Sequence, residues 1–205
     1  MTILLGLSAL WIVLNYFFFK FIHKNKIYFF MIALIIGAIS LTQEVNIINL
    51  GYVGLSFFLV VMFTGVIDKS SLKKSLIATR AEMAILGFIF ILVHGIKFLL
   101  FSIDFDFLFS GPLYFYIGII SLLIASPLFV TSFMKIRKKM NGKTWKKLHK
   151  LSYLFYLSVG VHLILIQNDR MLFYIAIFGF YFILKLWTLL EVKYKKAPAK
   201  KPLST

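Results

Sequence analysis

Cysteine is absent from the 205 residues, which excludes disulfides, thiolate metal sites and thiol nucleophiles. Acidic side chains are scarce: 7 Asp and Glu stand against 23 Lys and Arg, a formal net charge of +16. There are four prolines, and Pro127 is the only one inside an apolar run apart from Pro112 at a helix start. The paired, Gly/Pro-broken helices that build transporter sites are therefore missing. There is no internal repeat and no polar stretch long enough to fold as a soluble domain, so any nucleotide or flavin domain is expected on another chain. The first apolar run has no positive n-region before it and no small-residue cleavage site after it. It reads as a membrane helix, not a cleaved signal.

What the chain does have is apolar length. It is 61% hydrophobic with a mean hydropathy of +0.93, well beyond the composition of a soluble domain. Seven runs, 3–20, 27–43, 49–67, 83–102, 112–134, 150–167 and 171–190, approach the length of about 20 residues needed to cross a bilayer as a helix. Twenty of the 23 Lys and Arg fall in four windows, 20–26, 69–80, 135–150 and 193–201, which occupy alternate connections. The other connections hold Glu44, Asp104, Asp106 and Asp169, with Arg170 as their one basic residue. The positive-inside rule then predicts an all-α integral membrane protein of about seven transmembrane helices. Its N-terminus lies outside and its C-terminus in the cytoplasm. The basic windows suit anionic lipid, at about 1 kcal/mol per Lys or Arg near the surface, and this disfavours nucleic acid as a partner. The Lys/Ala/Pro segment 193–205 reads as a disordered, solvated cytoplasmic tail.

An ionisable side chain within hydrocarbon is costly and marks a functional candidate. His94 and Lys97 lie in the fourth run and His162 in the sixth. Lys185 can snorkel to the cytoplasmic face as an anchor, and His23, among lysines at a helix end, reads as a solvated loop residue. Helical rise puts His94 roughly 16 Å and His162 roughly 19 Å above the cytoplasmic ends of their helices. Two imidazoles at one depth on neighbouring helices can hold a b-type haem between axial histidines. A lone membrane histidine more ordinarily hydrogen-bonds an adjacent helix, so helix packing or proton relay stays open. Zinc or copper would want a third ligand at that depth, and none is present. Gly87, Gly95 and Gly160 are small residues that would let a macrocycle approach, or simply let helices pack. His149 lies thirteen residues before His162, about 140° away around an ideal helix. Opposite it, fourteen residues before His94 and on the same face, stands Arg80. Guanidinium is a poor iron ligand but grips a propionate, a flavin phosphate or a lipid head group.

Trp145-x-x-Leu148-His149-x-Leu151-x-Tyr153, with a further histidine at 162, resembles the MsrQ/YedZ branch of the ferric-reductase-like transmembrane superfamily. "TRAEMAILGFIFILVHG" (79–95) is similar to that family's arginine-rich helix start followed by its haem histidine, and "IISLLIASPLFVTS" (119–132) to the intervening helix. The resemblance covers about residues 45–190. It implies a six-helix core over 27–192, preceded by an additional helix and basic loop, 1–26. It implies haem b as cofactor, one group or two, with His94 and His162 as iron ligands and His149 as a third haem-associated histidine. FMN or a quinone is a further candidate. Glu82 and Met83 depart from the family's usual basic and apolar residues after Arg80.

The function expected from this is that of a b-type cytochrome in a bacterial inner or plasma membrane. Electrons would pass from a cytoplasmic flavin reductase or the quinol pool, by His149 and Arg80, to the His94/His162 haem. They would leave to an extracytoplasmic partner such as a methionine-sulfoxide reductase, or to ferric iron. Lys97, one turn outward of His94, is expected to pair with a propionate. The competing readings are a non-redox membrane scaffold, a small transporter, and a ferric or metal reductase membrane component.

Overall fold

A computed structural model describes residues 1–67, 70–101, 110–166 and 168–196. Among the described residues every regular element is helical. In chain order these are α1 (Thr2–Lys24), α2 (Lys26–Thr42), α3 (Asn46–Asn49), α4 (Tyr52–Thr64), α5 (Ser71–Ala78) and α6 (Arg80–Phe101). There follow α7 (Leu113–Val130), α8 (Met134–Arg137), α9 (Gly142–Leu148), α10 (Leu151–Ile166) and α11 (Met171–Lys196), with a single 3₁₀ turn at Asn168–Arg170 before α11. Lys69, Asp104, Asp106 and residues 197–205 lie outside the described residues; α11 itself continues past the boundary drawn at residue 193.

Among the described residues, five segments are long and apolar enough to cross a membrane: Thr2–Lys24, Arg80–Leu100, Leu113–Val130, Gly142–Ile166 and Met171–Glu191. The second and third apolar runs give shorter helices, with 17 residues in α2 and 13 in α4. At 1.5 Å per residue, α4 extends only about 20 Å. It is nevertheless the centre of the bundle. Leu55, Phe57, Leu59, Val60, Val61 and Met62 are all buried, so its apolar character on every side is directed at protein. It packs most closely on α6, where a Cβ on Gly54 would stand 2.9 Å from the Gly87 carbonyl oxygen. Small residues facing each other at a crossing are how membrane helices bring their backbones together.

The fifth run also breaks earlier than its apolar length suggests. Pro127 has no N–H to donate, and the Thr131 hydroxyl turns back onto the Pro127 carbonyl at 2.7 Å. The helix ends at Val130, and the chain turns through Phe133 into α8. α7 and α10 form the most extensive helix pair, and α11 lies against α10.

α1 docks on α4 and α5 through polar side chains as well as apolar ones. Trp11 Nε1 donates to Ser56 Oγ at 2.8 Å and stacks on Phe57 with ring centroids 4.3 Å apart. Asn15 is 1% exposed. Its amide donates to the Trp11 carbonyl and to the Met83 sulfur, and its oxygen accepts from the Thr79 hydroxyl. In hydrocarbon an amide must find its partners within the protein, so this one position fixes the rotation of α1. Replacing Asn15 with Leu is expected to cost about 1 kcal/mol. This would appear as a lower Tm of the detergent-solubilised protein, while Tyr16→Ala on the exposed face leaves Tm unchanged.

Candidate functional site

Among the described residues the bundle encloses two cavities that gather polar side chains. The first, about 250 Å³, is lined by residues of α3, α4, α6, α7, α10 and α11 and includes both His94 and His162. The second, about 580 Å³, brings together His23, Arg80, Arg137, Lys146 and Lys150, side chains from three of the basic windows. This is the basic end of the molecule. Phe58 and Phe155 line both cavities, and their rings meet edge to face with centroids 4.8 Å apart.

In the first cavity the two histidines are held alike. His94 Nδ1 lies 2.6 Å from the carbonyl oxygen of Asn49, the last residue of α3. His162 Nδ1 lies 2.8 Å from the carbonyl oxygen of Tyr114 in the first turn of α7. A carbonyl only accepts, so each Nδ1 carries the proton and each Nε2 keeps its lone pair. Metal-bound histidines are oriented this way, the second nitrogen donating to a backbone carbonyl or carboxylate. Among the described residues no group of three His, Asp or Glu side chains could hold a metal ion; the donor set is these two imidazoles.

Glycine makes room for both rings. A Cβ on Gly118 would stand 2.8 Å from His162 Cε1. Gly118 lies one turn after Tyr114 on the same helix face, so the missing side chain is what lets the imidazole reach the Tyr114 carbonyl. Gly51 has φ of +75°, a left-handed conformation that favours glycine; it turns the chain from α3 into α4 against the His94 ring. Gly118 was not singled out from the sequence. Of the glycines that were, Gly160 faces Phe178 and Gly87 faces Phe57, while Gly95 lines the cavity.

Lys97 is buried and does not line this cavity. Its ammonium donates to the Ser40 and Gln43 carbonyls at 3.1 and 2.8 Å and lies 3.3 Å from the Glu44 carboxylate. The carbonyls at the end of α2 have no helical partner, and a lysine one turn beyond His94 supplies one.

At the basic end, His149 caps α9 and lines the larger cavity with Arg80. Its Nε2 is 3.0 Å from Thr131 Oγ1. The Thr131 hydroxyl proton is committed to the Pro127 carbonyl, so His149 Nε2–H is the donor and its lone pair is on Nδ1. Trp145 stacks on His149 with centroids 4.1 Å apart, donates to the Thr131 carbonyl at 3.2 Å and is covered by Arg137 at 4.4 Å. Arg80 interacts with Tyr156. Lys185 lies 5.3 Å over the Tyr153 ring, among the cavity's cations. His149 and Arg80 thus share one cavity, and His94 and His162 share the other.

The sequence also concealed a pair. His23, read as a solvated loop residue, is half exposed, and its Nδ1 lies 2.8 Å from Glu82 Oε1; Lys26 Nζ is 3.8 Å from the same oxygen. Glu82 is buried, and its other oxygen has no hydrogen-bond partner among the described residues. The departure at Glu82 from the resembled pattern was the one available signal; its partner lies on another helix.

The family model described as "Ferric reductase like transmembrane component" matches residues 48–160, and this segment contains His94 and His149, while His162 lies just beyond it. An uncharacterised protein of Treponema pallidum (strain Nichols) is 34% identical over 118 residues, covering 53% of this chain and 32% of its own length. The chain therefore spans about a third of that relative. No solved structure matches. With the family model covering more than half of its 205 residues and five helices able to span a bilayer, this multi-pass membrane chain belongs to the ferric-reductase-like transmembrane component family.

Proposed function

We propose that the chain is a b-type cytochrome subunit that carries electrons between the two faces of a bacterial plasma membrane. The observation that carries this reading is that His94 and His162 each give Nδ1–H to a backbone carbonyl, leaving two Nε2 lone pairs for one apolar cavity. A haem suits these residues. The donors are two neutral imidazoles, and the lining is largely aliphatic and aromatic. The group would supply a one-electron couple whose potential is tuned by its axial ligands and by the exclusion of water.

The rest of the reading follows from the chain's own groups. His149 has its Nε2–H committed to Thr131 and faces a cavity shared with Arg80, an arrangement that favours one haem over two. The larger cavity is the entry for electrons: cations at its lining suit a flavin phosphate or the polar head of a quinol. Phe58 and Phe155 close the short gap between entry and carrier. By the positive-inside rule the basic windows favour an entry on the cytoplasmic side with the histidine cavity toward the outside, in a bundle of about seven helices to which α2 and α4 would contribute the short members. The acceptor is then an extracytoplasmic reductase partner or ferric iron.

Haem content decides between this cytochrome and a scaffold or transporter. In a pyridine-haemochrome assay after expression with haem supplementation, wild type is expected to hold one haem per polypeptide. His94→Ala and His162→Ala each lose it, and His149→Ala keeps it. A colourless wild type, or full haem in both alanine variants, overturns the reading.

Gly118→Leu tests the geometry. A side chain there collides with the His162 ring. It should abolish the Soret band or shift it to that of a singly ligated haem, while the protein still elutes as the folded species on size exclusion.

A further inference from the structure

The larger cavity holds one feature that electron entry alone does not use. Glu82 lines it, is 4% exposed and has Oε2 buried with no hydrogen-bond partner among the described residues. A buried carboxylate oxygen left unpaired is costly, and such exceptions call for an explanation. No other Asp or Glu lines the cavity among the described residues. The second oxygen, Oε1, is 2.8 Å from His23 Nδ1, and the His23 side chain is 49% exposed. A continuous polar connection therefore runs from the cavity, through the carboxyl and the imidazole, to water.

We propose that Glu82 and His23 are the proton outlet of this cavity. The inference rests on the electron-transfer reading and specifies its donor: an aromatic two-electron, two-proton carrier, either a hydroquinone or a reduced flavin. Such a donor loses two electrons and two protons as its two O–H or N–H bonds break and it becomes the quinone or the oxidised flavin. The electrons leave singly for the one-electron centre at His94 and His162, which the acceptor reoxidises between them. Glu82 Oε2 accepts the hydrogen bond of the bound donor and takes the proton as the electron departs. At rest His23 Nδ1–H donates to the carboxylate. Once the carboxyl is protonated it gives the proton to the imidazole lone pair as the ring turns. The imidazolium releases its other N–H proton to water, and the remaining N–H returns to Glu82 for the second. Imidazole suits this step because its two ring nitrogens can take up and release a proton at different positions.

Other charged groups border the path. Lys26 is 3.8 Å from Oε1, and Arg80 begins the helix that carries Glu82. Arg137, Lys146, Lys150 and Lys185 face the same space; as cations they offer no site for a proton and leave the acceptor role to Glu82. His149 is the rival base, because its Nδ1 lone pair is uncommitted. The assignment gives the N-terminal helix a task, since His23 lies in its last turn.

The test uses the full, haem-loaded chain in detergent. Stopped-flow absorbance follows haem reduction by menadiol, by reduced FMN and by dithionite, which delivers electrons without a donor proton. Menadione and FMN binding is measured separately by quenching of tryptophan fluorescence. Glu82→Gln, nearly isosteric, is expected to slow reduction by one of the two organic donors on the order of 10²-fold. It should raise the solvent isotope effect on that rate and leave the dithionite rate and the quenching affinity within about two-fold. Glu82→Asp recovers part of the rate, and His23→Gln slows it as well. Which donor responds distinguishes the quinone class from the flavin class. Wild-type rates in Glu82→Gln, equal slowing with dithionite, or slowing confined to His149→Gln would each overturn the proposal. Haem-loaded wild type that neither organic donor reduces also overturns it and leaves the cytochrome reading intact. Wild type with no Soret band overturns both.

Discussion

A histidine in hydrocarbon must place its N–H, and where it places it decides what the other nitrogen can do. His94 and His162 both end on backbone carbonyls, of Asn49 and Tyr114, and both present a bare Nε2. The carbonyls are supplied by local structure. Asn49 closes a helix too short to satisfy its own last carbonyls, and Tyr114 belongs to a turn whose next face is a glycine. Much of the surrounding architecture can be read as holding these two acceptors still.

On the His94 side the support reaches back to α2. Lys97 ties the Ser40 and Gln43 carbonyls to α6. With its amide oriented to satisfy both neighbours, Asn49 accepts from Lys97 Nζ at 2.8 Å and donates to Ser40 O at 3.2 Å. The residue whose carbonyl orients His94 is thereby anchored to a lysine on the same helix as His94, one turn away. That is a closed mechanical loop, α6 to α3 and back, with Gly51 as its corner. The His162 side is simpler: α7 and α10 pack along their length, Ser121 Oγ donates to Ser158 Oγ or accepts from it at 2.9 Å, and Gly118 lets the imidazole in.

Some of this was legible in the sequence because it depends on one dimension only. Apolar length marks helices, the basic windows mark one end, and rise per residue sets height, which is why His94 and His162 could be compared at all. Azimuth and partner choice are not one-dimensional. The 13-residue α4 lies at the centre because its neighbours cover it, a fact its composition permits and does not dictate. Gly118 looked like any glycine in an apolar run; its importance comes from the ring on α10. Lys97 was assigned by its distance from His94 along the helix, whereas its partners come from the end of α2. His23 among lysines gave no sign of Glu82, some sixty residues away in sequence. The break after Val130 could have been anticipated from Pro127 followed by Thr131, a hydroxyl one turn on that can turn back to the proline's carbonyl.

The two cavities divide charge as sharply as they divide space. Among the described residues, the lining around His94 and His162 carries no Asp, Glu, Lys or Arg, so a charge arising there is surrounded largely by aliphatic and aromatic groups. The larger cavity gathers Arg80, Arg137, Lys146, Lys150 and Lys185 against one carboxylate. An electron moving from the second to the first leaves a cation-rich place for an apolar one, which is unfavourable unless its positive partner is released elsewhere. In the proposed reading the donor's proton would leave as its electron does, so that no further positive charge is left in the larger cavity, and different side chains face the two directions. The ring pair Phe58 and Phe155 bridges the cavities but has no group to carry a proton. Glu82 and His23 have such groups and lead the opposite way, toward the exposed turn between α1 and α2. Separation of the two paths follows from which side chains stand in each direction, and it needs no moving part.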